Sequence, residues 1–269
     1  MALNFKLLVL VIVLCPLTIN SFDYFTMVQQ WPKGFCYFNV SKCKRVRPDD
    51  FTIHGLWPSN FTRSLRNCTS TEYGVIKNLT EWQTRYPAWP DLTRPIPNCR
   101  QKFTLQAQSF WQHEWKNHGT CSETMYNQSR YFDIAIQLRG QYKLLNWLVN
   151  DGIRQGNNVQ ISRVNSSILN VTGKVPDLKC DHPDLYLGNP TSKSLPVLQE
   201  LGIYLDSTSD LKCDHPDLYP GNLISKSLPV LQEIGICLDP NLKVIDCPKK
   251  FQRSRTCYVA NSKGNIHFP

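Results

Sequence analysis

Two short segments hold the side chains best suited to moving protons. Phe110 to Cys121 reads FWQHEWKNHGTC and carries His113, Glu114 and His118. Phe51 to Pro58 reads FTIHGLWP, with His54 followed closely by Trp57. Imidazole is the side chain that titrates nearest neutral pH, and a carboxylate beside it favours its charged form. A zinc protease would need His-Glu-x-x-His, so that two histidines four apart face one metal. Here His113 and His118 are five apart and Asn117 fills the required position, which excludes that reading. General acid–base chemistry remains. On a helix Phe110, Glu114 and His118 share one face, with His113 about 100° round from Glu114. A second titrating group must come from elsewhere, and His54 is the candidate.

The elements that position these residues follow from pattern. Tyr24 to Trp31 and Phe51 to Trp57 read as strands, the second stopping at Pro58. Asn60 to Thr71 is polar and reads as an exposed loop, and Thr71 to Tyr86 has helical character. Pro87 to Pro97 holds four prolines and is expected to be irregular. Thr104 to His118 reads as the helix bearing the titratable cluster. Ser129 to Val149 is the clearest helix, with Tyr131, Ile134, Leu138, Tyr142, Leu145 and Val149 forming one apolar stripe.

Met1 to Asn20 has one charge at Lys6, an apolar run from Leu7 to Leu14 and a break at Pro16. It reads as a secretory signal peptide over 1–21, cleaved near Ser21–Phe22. The run is shorter than the roughly 18 apolar residues a spanning helix needs, so no membrane association is expected. Removing Cys15 from the 11 cysteines leaves an even number, as disulfides in an exported chain require. No Cys-x-x-Cys pair is present. Asn-x-Ser/Thr sequons stand at Asn39, Asn60, Asn67, Asn78, Asn127, Asn165 and Asn170, the expected glycosylation sites. The net charge of +9 favours polyanionic partners.

Residues 22–269 are expected to form a single domain containing a repeat. Asp177–Asp206 and Asp210–Asp239 match at 25 of 30 positions. Two copies are too few for a solenoid, and the pattern reads as a local duplication that lengthens a loop and adds a hairpin. Cys237 of the second copy is Tyr204 in the first.

The FTIHGLWP and FWQHEWKNHGTC segments resemble, in order and separation, the two active-site segments of the T2-type ribonuclease family. FDYFTMVQQWP at Phe22–Pro32 resembles the start of mature plant members, and IDCP at Ile245–Pro248 resembles their C-terminal segment. The similarity is to plant S-RNases and S-like RNases. It implies an α+β fold, a central antiparallel β-sheet flanked by helices and stapled by disulfides. It also implies a secreted, extracellular, monomeric endoribonuclease acting on single-stranded RNA without metal or cofactor. His118 would be the general base on the ribose 2′-OH and His54 the general acid to the 5′-oxygen. His113 would contact the phosphate, Glu114 would stabilise the transition state, and a 2′,3′-cyclic phosphate would be opened by water to a 3′-phosphate. Gln30 and Phe110 would hold a base, and Trp57 would stack or pack.

The family usually has Lys directly before the last histidine. Here that residue is Asn117, with Lys116 one position earlier, so reduced activity is expected. The resemblance also implies disulfides Cys36–Cys43, Cys68–Cys121 and Cys237–Cys247. Cys257 would pair within an LKC segment that occurs twice. Cys180 and Cys213 both stay open, Cys213 being the one set beside Cys257, and the one left over would pair with Cys99 or, like Cys99, stay free. Among plant members, the basic charge and many sequons favour a pistil self-incompatibility ribonuclease, with pollen-side protein partners. The alternatives are a general S-like ribonuclease for defence or phosphate recovery, or a catalytically weak recognition or storage protein.

Overall fold

Residues 22–38, 43–44, 48–98, 100–182, 228–249, 256–257 and 263–269 are described by a computed structural model. The sheet centre lies where the chain is most apolar. Strands β1 (Tyr24–Gln30) and β5 (Val230–Leu238) are buried at every position, as strands covered on both faces must be. β1 pairs antiparallel with β2 (Thr52–Ser59) on one side and with β5 on the other. β5 also pairs antiparallel with β4 (Asp177–Asp181) and β6 (Val244–Ile245). It meets β7 (Asn265–Phe268) in parallel, and β7 pairs with β3 (Asn157–Gln160). The main path runs β2-β1-β5-β7-β3. The helices are α1 (Pro32–Phe35), α2 (Leu79–Ala88), α3 (Ser109–Asn117), α4 (Gln128–Gln141), α5 (Leu144–Asn150) and α6 (Ile161–Thr172). This is the expected α+β architecture with a mainly antiparallel sheet. Its core joins Trp31, Ile53 and Leu56 of the sheet side to Trp89, Trp115, Tyr131 and Phe132 of the helical side. No helix among the described residues is long and apolar enough to cross a membrane.

Several element boundaries differ from the sequence expectation, each for a local reason. β2 runs through Pro58 to Ser59. It lies at the end of the strand order, where a proline is tolerated because the outer side of an edge strand needs no ladder donor. Helix α2 begins only at Leu79, because the Asn78 side chain accepts from Glu81 N and caps it there. Residues 71–78 instead form non-helical chain whose Tyr73 hydroxyl and Ile76 N–H donate to the buried Gln108 side chain. α2 also includes Pro87, in its last turn. Helix α3 starts at Ser109, not at Thr104. The long helix expected over Ser129–Val149 is two helices broken at Tyr142 and Lys143. The Tyr142 carbonyl accepts a 2.9 Å bond from the buried Gln29 side chain on β1. Past the break Leu144 and Leu148 face inward, while Leu145 and Val149 are only partly covered.

Four disulfides close the described residues: Cys36–Cys43, Cys68–Cys121, Cys180–Cys257 and Cys237–Cys247. Cys257 therefore takes Cys180, which corrects the expected pairing with Cys213. Cys180 stands at a β4 position directly beside the Cys257 turn, with its N–H donating to Thr256 Oγ1 at 2.9 Å. Cys213, Cys99 and residues 1–21, the expected signal peptide, lie outside the described residues. The duplication is split by the sheet. β4 comes from the start of the first copy and β5 from the end of the second.

Candidate active site

His54 owes its position to a defect in β2. The β1–β2 register shifts between Val28, which faces Gly55, and Gln29, which faces Ile53. His54 is thus an extra residue without a partner on β1, a β-bulge that redirects the side chains around it. On a regular strand residues three apart point to opposite faces. With the bulge, the His54 and Trp57 rings approach to 5.1 Å between centroids. They are also the two partly exposed positions of an otherwise buried strand. The backbone on both sides is held from the helical layer, by Trp89 Nε1 donating to His54 O at 2.8 Å and Tyr131 Oη donating to Leu56 O at 2.9 Å.

Helix α3 supplies the facing groups. Trp57 Nε1 donates to Glu114 Oε2 at 3.0 Å, and Glu114 is 1% exposed. His118 is the C-terminal cap of α3, its N–H donating to Glu114 O at 3.0 Å. Its ring lies 5.2 Å from that of Trp57, and the Phe110 ring lies 6.1 Å from that of His54. Gly55 permits this convergence, because a methyl group there would collide with Trp57 Nε1 and Glu114 Oε2. His54, Trp57, Phe110, Glu114 and His118 therefore form one cluster between the bulged strand and the end of α3.

The two histidines of this cluster sit in opposite environments. His54 Nδ1 is 2.8 Å from Oε1 of the buried Glu233 on β5. A carboxylate only accepts, so Nδ1 carries a proton and Nε2 is left for chemistry. Burial alone would lower the His54 pKa, but the charge and hydrogen bond of Glu233, with Glu114, outweigh it and raise it, against Lys179. His118 Nδ1 is buried with no hydrogen-bond partner among the described residues. Burial, followed by the charges of Arg66, His113 and His54, lowers its pKa to about 3. Burial raises Glu114 to about 7, and Glu233 adds to the rise while His54, the Trp57 bond and Arg66 oppose it. His113 is lowered by burial, His54 and Arg66.

The remaining expected residues divide. Gln30 and Phe110 line a cavity of about 320 Å³ with Phe35, His54, Asp91 and Arg94. Its wall is preset, because Asp91 Oδ1 accepts from the N–H and hydroxyl of Thr93. Lys116 is held in a 2.7 Å ion pair with Glu72. Asn117 Nδ2 donates to His113 Nδ1 at 3.1 Å and to His113 O at 2.9 Å. An amide nitrogen only donates, so His113 keeps its proton on Nε2. Of the sequons, Asn67, Asn78, Asn127 and Asn170 are exposed, Asn60 and Asn165 are partly covered, and Asn39 lies outside the described residues. Sequence reasoning missed Glu233, Lys179 and Arg66, none of which belongs to either active-site segment.

The model of the ribonuclease T2 family matches residues 22–247. Ribonuclease S-7 of Nicotiana alata is 37% identical over 204 residues, which are 75% of this chain and 84% of that protein. Ribonuclease S-2 of Antirrhinum hispanicum is 40% identical over 177 residues, 64% of this chain and 72% of its own. Among solved structures, the self-incompatibility associated SF11-RNase of Nicotiana alata is similar at 26% identity and a TM-score of 0.65, covering 92% of this chain and 98% of its own. A variant of the bitter gourd ribonuclease RNase MC1, solved with 5′-GMP, is similar at 27% identity and a TM-score of 0.58, covering 84% and 94%. The bulged strand and helix α3 both fall inside the matched region, and the chain belongs to the ribonuclease T2 family, as a ribonuclease of the plant S-RNase type.

Proposed function

We propose that this chain is an exported endoribonuclease, one domain over 22–269, that cleaves single-stranded RNA by transfer to a 2′,3′-cyclic phosphate. The observation that carries this reading is the contrast between His54 and His118. His118, buried and with no hydrogen-bond partner for Nδ1 among the described residues, is neutral at working pH and is the base that takes the 2′-OH proton. His54, bonded to Glu233, is protonated and gives a proton to the departing 5′-oxygen. The freed 2′-oxygen attacks phosphorus as the P–O5′ bond breaks. Water then opens the ring with the two histidine roles reversed, leaving a 3′-phosphate. Two groups pushed to opposite protonation states are the arrangement that acid–base catalysis needs. The nucleophile belongs to the substrate, so the enzyme supplies only proton transfer and charge stabilisation.

Glu114 and His113 flank the phosphorus in this reading, with the His113 Nε2–H set by Asn117 as a donor. The cavity lined by Gln30 and Phe110 receives a base, in keeping with the complex of the bitter gourd ribonuclease variant with 5′-GMP. DNA lacks the 2′-OH and is not cut. The test is to incubate purified protein with an RNA oligonucleotide and follow the products by 31P NMR. A cyclic phosphate that appears and then decays, and that is lost in H118A, supports the reading. Direct release of 3′-phosphate, or activity surviving in H118A, overturns it.

The biological role proposed is pistil self-incompatibility. It is supported by the basic charge and by S-ribonuclease relatives from Nicotiana and Antirrhinum. Expression confined to styles would support it, and expression in roots or starved leaves would favour a general ribonuclease.

A further inference from the structure

We propose that Glu233, restrained by Lys179, is the positioning residue that fixes His54 as a proton donor through Nε2. The inference rests on the reading of His54 as the general acid. Glu233 is 1% exposed, yet its Oε1 receives both His54 Nδ1 at 2.8 Å and Lys179 Nζ at 3.3 Å. A buried carboxylate is strongly disfavoured unless it is paired. Lys179 faces Glu233 directly in the β4–β5 register, so an ordinary cross-strand ion pair would already satisfy that need. The bond to His54 is additional. It crosses β1, which lies between β2 and β5 in the sheet, and it reaches the one residue that the bulge displaces from the ladder.

The geometry has a direct consequence for the proton. A carboxylate on Nδ1 fixes the ring rotation, selects the Nδ1–H tautomer and leaves Nε2 as the atom that gains and loses the catalytic proton. The other charged groups about His54 are Glu114, His113 and His118 from α3 and its cap, with Asp91 and Arg94 in the cavity wall. Glu233 supplies the carboxylate that bonds to the His54 ring. Lys179 opposes it and keeps the proton from being held too tightly. The duplication carries a second copy of both residues, Glu200 and Lys212. The Cys237–Cys247 disulfide selects the second-copy strand for β5, since the first copy has Tyr204 in place of that cysteine.

The experiment compares wild type with E233Q, K179M and E200Q, using 15N NMR of the His54 ring and the pH dependence of RNA cleavage. In wild type the neutral His54 ring is expected to carry its proton on Nδ1. In E233Q the basic limb moves to lower pH by about one to two units, and kcat at neutral pH falls about tenfold or more with KM little changed. In K179M the same limb moves to higher pH. E200Q matches wild type. Opposite displacements by E233Q and K179M are not a result that loss of packing produces. An Nδ1-deprotonated wild-type ring, or limbs that do not move or move together, overturns the proposal. The wild-type ring measurement decides the matter even where a variant fails to fold. Failure of the general-acid reading is distinguishable, because H54A would then retain activity while the NMR results stood.

Discussion

Trp57 and Glu114 are joined by a 3.0 Å hydrogen bond that ties the edge strand of the sheet to the middle of helix α3. The bond sets the distance between the two segments whose residues are expected to react, and it exists because Gly55 leaves room for it.

Gly55→Ala should therefore damage the site from behind. Its methyl group would overlap Trp57 Nε1 and Glu114 Oε2, and the buried Glu114 has little room to give way. RNA cleavage is expected to fall by roughly 10²-fold, the scale of losing a well-placed catalytic group, with a melting temperature lowered by only a few degrees. Wild-type kcat/KM in a well-folded G55A protein would show that the Trp57–Glu114 contact is dispensable.

The pH dependence of cleavage follows from the two histidine environments. The general acid must be protonated, and His54 is raised above its ordinary value, so activity is lost only as pH rises above about 6.5 and through the raised value. The general base must be neutral, and His118 is lowered to about 3, so the acid limb lies well below the usual imidazole range. The profile of kcat/KM should be broad, with activity persisting at pH 4 to 5. Measurement over pH 3 to 9 checks this, and an acid limb centred near 6.5 would show that His118 is not the base.

Glu114 makes the site a stability liability at neutral pH. Its folded value near 7 lies above the unfolded 4.5, so its favourable contribution is complete below pH 4.5 and is lost as pH rises through 7. Holding the carboxyl at about 7 instead of 4.5 corresponds to about 3 kcal/mol at the upper end. E114Q carries no such charge. It should be more stable than wild type at pH 8 and nearly equal at pH 4, while cleaving RNA poorly. Denaturant melts at the two pH values test the sign, and a difference that grows toward acid contradicts it.

How much of this was legible in the sequence depends on the range of the contacts. His113, Glu114 and His118 lie within one helix and its cap, so their spacing alone placed them near one another. His54 was legible through its separate segment, but the bulge that turns it toward Trp57 was not, because it arises from the pairing of β2 with β1. Glu233 and Lys179 were hidden for the same reason, and the duplication offered each of them twice. The break at Tyr142 was invisible too. The apolar stripe continues through it, while the Tyr142 carbonyl is diverted to Leu144 N–H and to Gln29, a residue over a hundred positions earlier.

Asn117 stands where the family usually carries a lysine, and the structure indicates which cation is left to act there. Lys116 is paired with Glu72. Arg66 bears electrostatically on His113, Glu114 and His118 together. Its chain is pinned beside Asn117 by Asn67 N–H donating to Asn117 O at 3.0 Å, and by the neighbouring Cys68–Cys121 disulfide. R66A is expected to lower kcat by about tenfold or more, as removal of a transition-state charge does. N117K should raise kcat above wild type and recover most of the loss in R66A. Steady-state kinetics of the two single variants and the double variant settle it, and an N117K that leaves both backgrounds unchanged would remove the case for a missing cation.

The disulfide of Cys257 provides a check on how the duplicated stretch is threaded. Cys180 and Cys213 lie in identical DLKCDHPDLY segments, so local preference cannot choose between them. The connector ahead of the first copy can. Gly173 caps α6 at φ 69°, a left-handed conformation that suits glycine. Two residues on, Val175 N–H donates to Asp246 Oδ1 at 2.8 Å, and Val175 O accepts from Cys247 N–H at 3.0 Å. These bonds deliver Asp177 directly into β4. The second copy is preceded instead by Asp206 and Ser207, with no glycine to end a helix. Digestion at Lys and Arg without reduction should therefore yield the peptide beginning at Cys180 joined to the one beginning at Thr256. The peptide beginning at Cys213 differs from the Cys180 peptide at positions 220, 223 and 224, so mass spectrometry separates the two. C180S should lose stability, because it breaks the disulfide to Cys257. A cross-link from Cys213 to Cys257 in the native protein would mean that the second copy, not the first, forms the strand that carries the lysine facing Glu233.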